Sequence, residues 1–392
     1  MTNEKESLPV PLAALRRTPG DEARRIPALD GLRGVAVVLV IIGHYIHWIA
    51  LGSLGVAIFY VLSGFLITGL LVAEHDQRGT ISLRAFYARR TLRIMPAAYV
   101  FLAVAWLVLR GTPDNPPVGA WLASLFYYAD YWVAVHVQRA NQIGHTWSLA
   151  IEEQFYLIWP LLLLSMLKGG VRSFRGVRTF LVVLILLVWV WRLVLTYVLG
   201  VHPHYLQFAF DTRADYLAVG CLLALSRGTG PFRTVTESAR SYPAFALGTA
   251  FALALLTFTL SSTRSYALSY PVEVVLIGLL MTQLMGATTS PLWRWLDHPA
   301  ARWLGALSYS LYLYHMLARY AAGHLVAGPT RQGLLAVLLA LPLAMLSYYG
   351  VERPALRWRA RRFPAPQAAT ARTHGNLGPA AANVEPQRQL AR

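Results

Sequence analysis

Ten apolar stretches of this chain are candidates to cross a bilayer, and that sets the fold class before any motif is considered. Spanning about 30 Å of hydrocarbon takes roughly 20 helical residues. The stretches are 34–50, 55–73, 95–109, 148–167, 179–199, 214–226, 243–260, 270–287, 304–323 and 332–351. Hydrophobic residues make up 56% of the chain and charged residues 14%, where a soluble domain carries about a quarter charged. Part of the surface must therefore face lipid, which implies a multi-pass protein of the cell membrane. The net charge of +17 does not argue for a nucleic-acid partner. The Arg residues punctuate apolar runs and form no continuous basic face, as topology requires of membrane helices. A single cysteine, Cys221, leaves no intrachain disulfide, CxxC pair or zinc knuckle.

Loop charge orients the spans. An eleventh segment, 121–135, is short, aromatic and interrupted by Asp130. With it left out, one side collects Arg78, Arg84, Arg89, Arg90 and Arg93, then Lys168, Arg172, Arg175 and Arg178, then Arg227, Arg233 and Arg240. The other side holds Arg110, Arg139, Arg264 and Arg331. The positive-inside bias then predicts an all-α integral membrane protein of about ten transmembrane helices with both termini cytoplasmic. Segment 121–135 is expected to be a surface or re-entrant piece, and 134–144 to lie outside. The first 25 residues are polar and basic, so no cleavable signal is expected there, and 363–392 is rich in Ala, Pro, Gln and Asn. Both ends are expected to be disordered and cytoplasmic, flanking one transmembrane domain over 26–362.

Ionisable groups inside spans are costly and face a bundle interior or an aqueous cavity. The first span opens with Asp30-Gly31-Leu32-Arg33-Gly34 and later holds His44. Arg33 and His44 are about 16 Å apart along a helix and about 20° apart around it, so they share a face. A snorkelling Arg and a hydrogen-bonding His would explain both without function. His47 could join His44 at a metal, but no carboxylate or Cys shares that stretch, so no metal is expected. Arg90 and Arg93, at i and i+3 before Pro96, share a face and suit bidentate contact with phosphate. Plain topological charge explains Arg78 and Arg84 better than it explains this pair. His145, Trp147 and Ser148 lead into Glu152-Glu153, and at least one of these carboxylates should face a polar cavity. Asp211, Arg213 and Asp215 suggest a local ion-pair cluster. Arg192, His315 and Arg319 are expected to meet carboxylates, and Ser63-Gly64 permits close helix packing. Glu352-Arg353-Pro354 ends the last span. No P-loop, strand-associated GxGxxG or GxSxG elbow is present.

These stretches together resemble the acyltransferase 3 family of membrane O-acyltransferases, from about Arg25 to Arg362. The matching pieces are Pro27 to Gly34 with His44, Phe59 to Thr68, Arg90 to Pro96, and His145 to Leu149 with Glu152 to Pro160. Later come Arg213-Ala214-Asp215 with Gly220, Ser308 to His315, and Glu352-Arg353-Pro354. Tyr60 stands where the family pattern usually has Phe. The resemblance implies transfer of an acyl group, commonly acetyl, from acyl-CoA to a hydroxyl of a sugar or natural product, a macrolide being one such acceptor. Some members carry a fused extracytoplasmic esterase-like domain, and with some thirty residues after its last span this chain is expected to act without one. By the resemblance, Arg33, Arg90 and Arg93 hold the CoA phosphates, and His44 acts as general base. Glu152 orients His44 or holds the acceptor, with Asp30, Ser63, His145, Trp147, Ser148, Asp211, Arg213 and Glu352 as supporting polar groups. The competing function is a transporter or flippase using buried His, Glu and Arg as a proton relay.

Overall fold

A computed structural model describes residues 27–136, 142–168, 174–242, 244–260, 266–286 and 290–363. The expected disordered ends, 1–25 and all of 363–392 except Phe363, lie outside the described residues. Among those described there are sixteen α-helices and no strand. They are α1 (Pro27–Tyr45), α2 (Ile49–Arg78), α3 (Leu83–Leu109), α4 (Val118–Leu125), α5 (Ala129–Val135), α6 (Trp147–Lys168), α7 (Phe174–Leu193) and α8 (Pro203–Phe208). Next come α9 (Phe210–Ser226), α10 (Gly230–Ser241), α11 (Ala244–Leu260), α12 (Tyr266–Gly286), α13 (Pro291–Leu296), α14 (Pro299–Leu325), α15 (Pro329–Ser347) and α16 (Arg353–Arg362). A 3₁₀ turn, Gly144–Thr146, leads into α6, and π-helical turns Val194–Val198 and Tyr348–Glu352 extend α7 and α15.

Nine of the ten expected stretches each centre on one helix, whereas 34–50 runs from α1 through the turn at 46–48 into the start of α2. Seven helical stretches are long and apolar enough to cross a membrane by length and composition, or eight when α10 and α11 count as one bent span. The helices short of that standard are α9, α11 and α14. The 17-residue α9 carries Asp211, Arg213 and Asp215, and α11 is also 17 residues. In α14, four serines and histidines and two arginines dilute the apolar content. The segment 121–135 is divided between α4 and α5, of 8 and 7 residues, both far too short to span. Asp130 is fully buried in α5 and accepts a 2.9 Å bond from Gln154 Nε2 on α6, so the polar interruption docks this pair on the bundle.

The lipid-facing pattern is clearest on α7. Val177, Leu181, Ile185, Val188 and Arg192 are buried, a stripe at the three- and four-residue spacing of one helical face. Val183, Leu186, Leu187 and Val190 on the other side are exposed, which hydrocarbon accepts and water would not.

Glycines set close helix contacts at two seams. A Cβ on Gly64 of α2 would collide with the Leu217 carbonyl of α9, and one on Gly220 of α9 with the Val61 carbonyl of α2. On the other side of α2, a Cβ on Gly305 of α14 would overlap the Asp30 carbonyl of α1, and one on Gly34 would sit 2.7 Å from the Ala301 carbonyl. The α1–α14 seam is parallel, because Arg33 meets Ser308, His44 meets His315 and His47 meets Arg319 in ascending order.

Candidate active site

The seam between α1 and α14 forms one wall of a cavity with about 590 Å³ of empty space, part of it open to solvent. Arg33 reaches it from α1, Tyr60 and Ser63 from α2, Arg90 and Arg93 from α3, and Ser148 and Glu152 from α6. Ser308, Tyr309 and Tyr312 of α14 close it. Helical spacing explains the arginine pair: Arg90 and Arg93 point the same way, while Arg89 turns to the buried Glu74, 3.0 Å away. Arg78 meets the same carboxylate at 3.6 Å. None of Arg33, Arg90 and Arg93 makes a salt bridge among the described residues. Arg33 instead donates to Ser308 Oγ at 3.4 Å, and the Arg90 guanidinium lies 3.6 Å from the centre of the Tyr156 ring. Three guanidiniums that make no salt bridge among the described residues converge on one cavity, an arrangement that can hold an anion.

Glu152 faces the same cavity. Its carboxylate accepts from Ser63 Oγ at 2.7 Å and Tyr156 OH at 3.2 Å, so Ser63 is a hydrogen-bonding partner as well as a small packing residue. No hydrogen bond joins Glu152 to His44 among the described residues; serine and tyrosine hydroxyls hold it in the cavity that the three arginines line.

His44 stands in the last turn of α1, which ends at Tyr45, because the chain turns at 46–48 to enter α2. The expected stretch 34–50 is thus broken just beyond His44. Its partner is His315, with ring centroids 4.9 Å apart, and His315 in turn lies 5.0 Å from His145. Tyr312 links this imidazole layer to the cavity. It lines the cavity, its ring lies 5.4 Å from His145 and 5.5 Å from His315, and its hydroxyl donates to the His145 carbonyl at 2.7 Å. Ser148 Oγ is 2.5 Å from that hydroxyl.

Backbone carbonyls fix the tautomers in this layer. A carbonyl only accepts, so the ring nitrogen facing it carries the hydrogen. His44 Nδ1 lies 2.8 Å from the Val40 carbonyl, His315 Nδ1 2.6 Å from the Tyr312 carbonyl, and His145 Nε2 3.1 Å from the Leu313 carbonyl. His44 and His315 therefore each offer a bare Nε2 lone pair. Among the described residues no group of three or more His, Cys, Asp or Glu is arranged to hold a metal ion.

The remaining candidates lie outside the cavity. Asp30 occupies the first turn of α1, where a carboxylate favours the helix N-terminus. Trp147 packs against Tyr60 and Phe208, and Glu352 is buried and accepts from Ser310 Oγ at 3.2 Å. Asp211, Arg213 and Asp215 do not form a local cluster. Asp215 pairs with Arg192. Arg213 donates to Ser53 Oγ and the Gln207 carbonyl and lies over the Tyr270 ring. Asp211 takes Trp191 Nε1 at 2.7 Å. The expectation that His315 and Arg319 meet carboxylates fails, since their partners are imidazoles. Sequence reasoning gave no role to Tyr312 or Ser308, although both fall in the stretch from Ser308 to His315 that carried the family resemblance.

A family model described as an acyltransferase domain, that of acyltransferase 3, matches residues 26–351. The peptidoglycan O-acetyltransferase OatA of Listeria monocytogenes is 33% identical over 77% of this chain and 50% of its own length. A Staphylococcus aureus protein named "Putative O-acetyltransferase SACOL0978" is 32% identical over 87% of this chain and 60% of its own. The Bacillus subtilis protein named "Putative peptidoglycan O-acetyltransferase YrhL" is 32% identical over 84% and 55%. This chain thus spans about half to three fifths of the length of these relatives. No solved structure matches it significantly. With its family model covering nearly all of the described helices, the chain belongs to the acyltransferase 3 family.

Proposed function

We propose that this chain is a membrane O-acyltransferase that moves a short acyl group, acetyl in the first instance, from acyl-CoA to a hydroxyl of a cell-envelope glycan. One observation carries the reading. Arg33, Arg90 and Arg93 converge on a single cavity and make no salt bridge among the described residues, which suits a polyphosphate donor. On this reading the donor's phosphates sit among the three guanidiniums, and its thin arm runs along the α1–α14 seam towards His44. The His44 Nε2 lone pair takes the proton of the acceptor hydroxyl as its oxygen attacks the thioester carbonyl. Collapse of the adduct breaks the C–S bond, and the thiolate recovers the proton. Glu152 holds a second acceptor hydroxyl.

The acceptor class draws on the relatives, two of which are named for peptidoglycan. A macrolide acceptor, the other form considered, draws no support from the three named. The reading also keeps ten spans and cytoplasmic ends. It is supported by the parallel α1–α14 seam, which needs an odd number of crossings from α1 to α14 inclusive. No observation favours a transporter. The test is mass spectrometry of envelope glycans from cells with and without the gene, paired with vesicles holding the purified protein and acetyl-CoA without an ion gradient. A gain of one acyl group on a glycan, and turnover without a gradient, are expected. Unchanged glycans together with no turnover would overturn the reading.

A further inference from the structure

Asp211 stands in the first turn of α9, where a helix N-terminus already favours a carboxylate. Three aromatic side chains nevertheless turn their polar tips onto it. Trp191 Nε1 donates to Oδ2 at 2.7 Å, Tyr205 OH lies 3.3 Å from Oδ1 and 3.4 Å from Oδ2, and Tyr131 OH lies 3.4 Å from Oδ1. They come from the end of α7, from α8 and from α5. An ordinary aromatic at a membrane interface presents its polar tip to water, and these three do not. Bonds at the ring edges leave the faces open, with Trp191 40% and Tyr131 38% exposed. Rings held this way offer amphipathic contact area at little entropic cost. The carboxylate also has capacity to spare. It offers about four lone-pair sites, and the tyrosine bonds are long against the roughly 2.7 to 2.8 Å usual for O–H···O.

We infer that Asp211, Trp191, Tyr205 and Tyr131 form a subsite for a neutral glycan chain, separate from the cavity in which the acceptor hydroxyl reacts. The inference rests on the acyl-transfer reading, whose topology puts α5 and this patch on the extracytoplasmic side. A sugar has an apolar C–H face that stacks on an aromatic ring and hydroxyls that donate to a carboxylate. Asp211 makes no salt bridge among the described residues, so its charge repels a phosphodiester polymer and admits a neutral polyol. The subsite is braced on the cavity wall: Phe208 of α8 packs on Trp147 at 5.0 Å, and Trp147 packs on Tyr60 at 6.2 Å. Leu217, six residues further along α9, meets Gly64, the neighbour of the cavity residue Ser63. Six residues are about 9 Å of helix, so the sugar at Asp211 is not the sugar beside Ser63 and Glu152. The acceptor is therefore a chain, held at one sugar and acylated at another.

The test is calorimetric titration of full-length protein in lipid nanodiscs without acetyl-CoA. Chitohexaose serves as a neutral N-acetylated glycan chain, with N-acetylglucosamine and a soluble polyglycerol phosphate as comparison ligands. Chitohexaose should bind, and the other two should bind at least about tenfold more weakly. Trp191→Ala should weaken chitohexaose about threefold to tenfold, and Trp191→Phe, which keeps a ring, should recover part of that. Asp211→Asn should weaken it by a similar factor, because a neutral amide accepts less strongly than a carboxylate. Tyr197→Ala removes a 65% exposed aromatic that follows α7 and should bind like the parent. Each variant should keep parental acetyl-CoA affinity. Parental chitohexaose binding by Trp191→Ala or Asp211→Asn overturns the inference, as does an equal loss in Tyr197→Ala. Weakened acetyl-CoA binding in the subsite variants marks a structural role and overturns it too, as does binding of either comparison ligand as tight as that of chitohexaose. The acyl-transfer reading is judged separately, by turnover. A parent that acetylates envelope glycans without binding chitohexaose removes the subsite alone. A parent that binds chitohexaose through these residues and acetylates nothing removes the acyl-transfer reading and leaves a glycan-binding surface.

Discussion

Replacing Arg90 or Arg93 by Ala separates donor binding from membrane orientation. Neither arginine makes a salt bridge among the described residues, so the Ala variants remove no direct ion pair. The Arg90 guanidinium stacks 3.6 Å from the Tyr156 ring centre, a contact worth about 0.5 to 2 kcal/mol, and its loss should leave a folded protein. Orientation should survive as well, because Arg78, Arg84 and Arg89 stay in the same stretch and the positive-inside bias is collective. Donor affinity is the quantity that should move. A charge-assisted hydrogen bond to phosphate contributes about 1.5 to 3 kcal/mol, so each variant should bind acetyl-CoA roughly tenfold to hundredfold more weakly. Arg90→Lys and Arg93→Lys should recover part of this, since an ammonium cannot make the bidentate contact. Arg78→Ala should bind like the parent, because Arg78 faces Glu74 and not the cavity.

Calorimetric titration of acetyl-CoA into nanodisc-embedded protein measures these affinities, and a truncated donor sharpens the result. A thioester of N-acetylcysteamine keeps the reacting carbon and lacks every phosphate. Turnover of that donor should be indifferent to Arg90→Ala and Arg93→Ala while still requiring His44. Equal acetyl-CoA binding by Arg78→Ala, Arg90→Ala and Arg93→Ala would refute the reasoning, and the pair would then serve topology alone.

Three further outcomes can be checked. His44→Ala should cut transfer about 100- to 10,000-fold with acetyl-CoA affinity unchanged, and His47→Ala should have a mild effect; full activity in a well-expressed His44→Ala protein would remove the general base. Glu152→Gln keeps an acceptor for Ser63 and Tyr156 but loses the charge, so kcat should fall at least about tenfold without weaker donor binding; an unchanged kcat would limit Glu152 to structure. Because the native thiol of Cys221 is buried, Asp114→Cys should react with an impermeant thiol reagent in intact cells and Thr234→Cys should not, and the reverse pattern would invert the topology.

The helical scaffold was legible because crossing lipid demands a run of apolar residues whatever the tertiary structure. The same reasoning is weakest for α9 and α14, whose polar residues face the bundle interior and blur the apolar signal. At the site, Arg33 and His44 were legible as one face, since 11 residues bring a helix nearly back to the same angle. What that face meets was not legible, because partners on α14 lie more than 270 residues away. Helical spacing also explains the misreading at Asp211, Arg213 and Asp215. Residues two apart point to different sides of a helix, so Arg213 turns to Ser53 and Tyr270 while Asp215 turns to Arg192. Outside the stretch that carried the family resemblance Tyr312 gave no signal of its own, since one tyrosine among several on an apolar helix reads as packing.

Both ends of the proposed reaction hang on one seam. Arg33 and His44 are carried by a single rigid helix, and Ser308, Tyr312 and His315 by its neighbour, so the spacing between phosphate grip and imidazole is fixed by helical rise and not by loops. What remains adjustable is the register of α1 against α14, and the glycines restrict it. Gly305 and Gly34 let the two backbones touch, and a Cβ at Gly305 would have to occupy the Asp30 carbonyl. Gly31 meets the Leu296 carbonyl in the same way, so α13 holds the start of α1 from a second side. A slide of one turn along this seam would be about 5.4 Å, enough to take His44 from His315 and bring it towards Arg319. The small residues of the opening Asp-Gly-Leu-Arg-Gly stretch therefore act on the chemistry at a distance. They hold α1 at the one register in which Arg33 reaches the cavity and His44 meets the imidazole layer together.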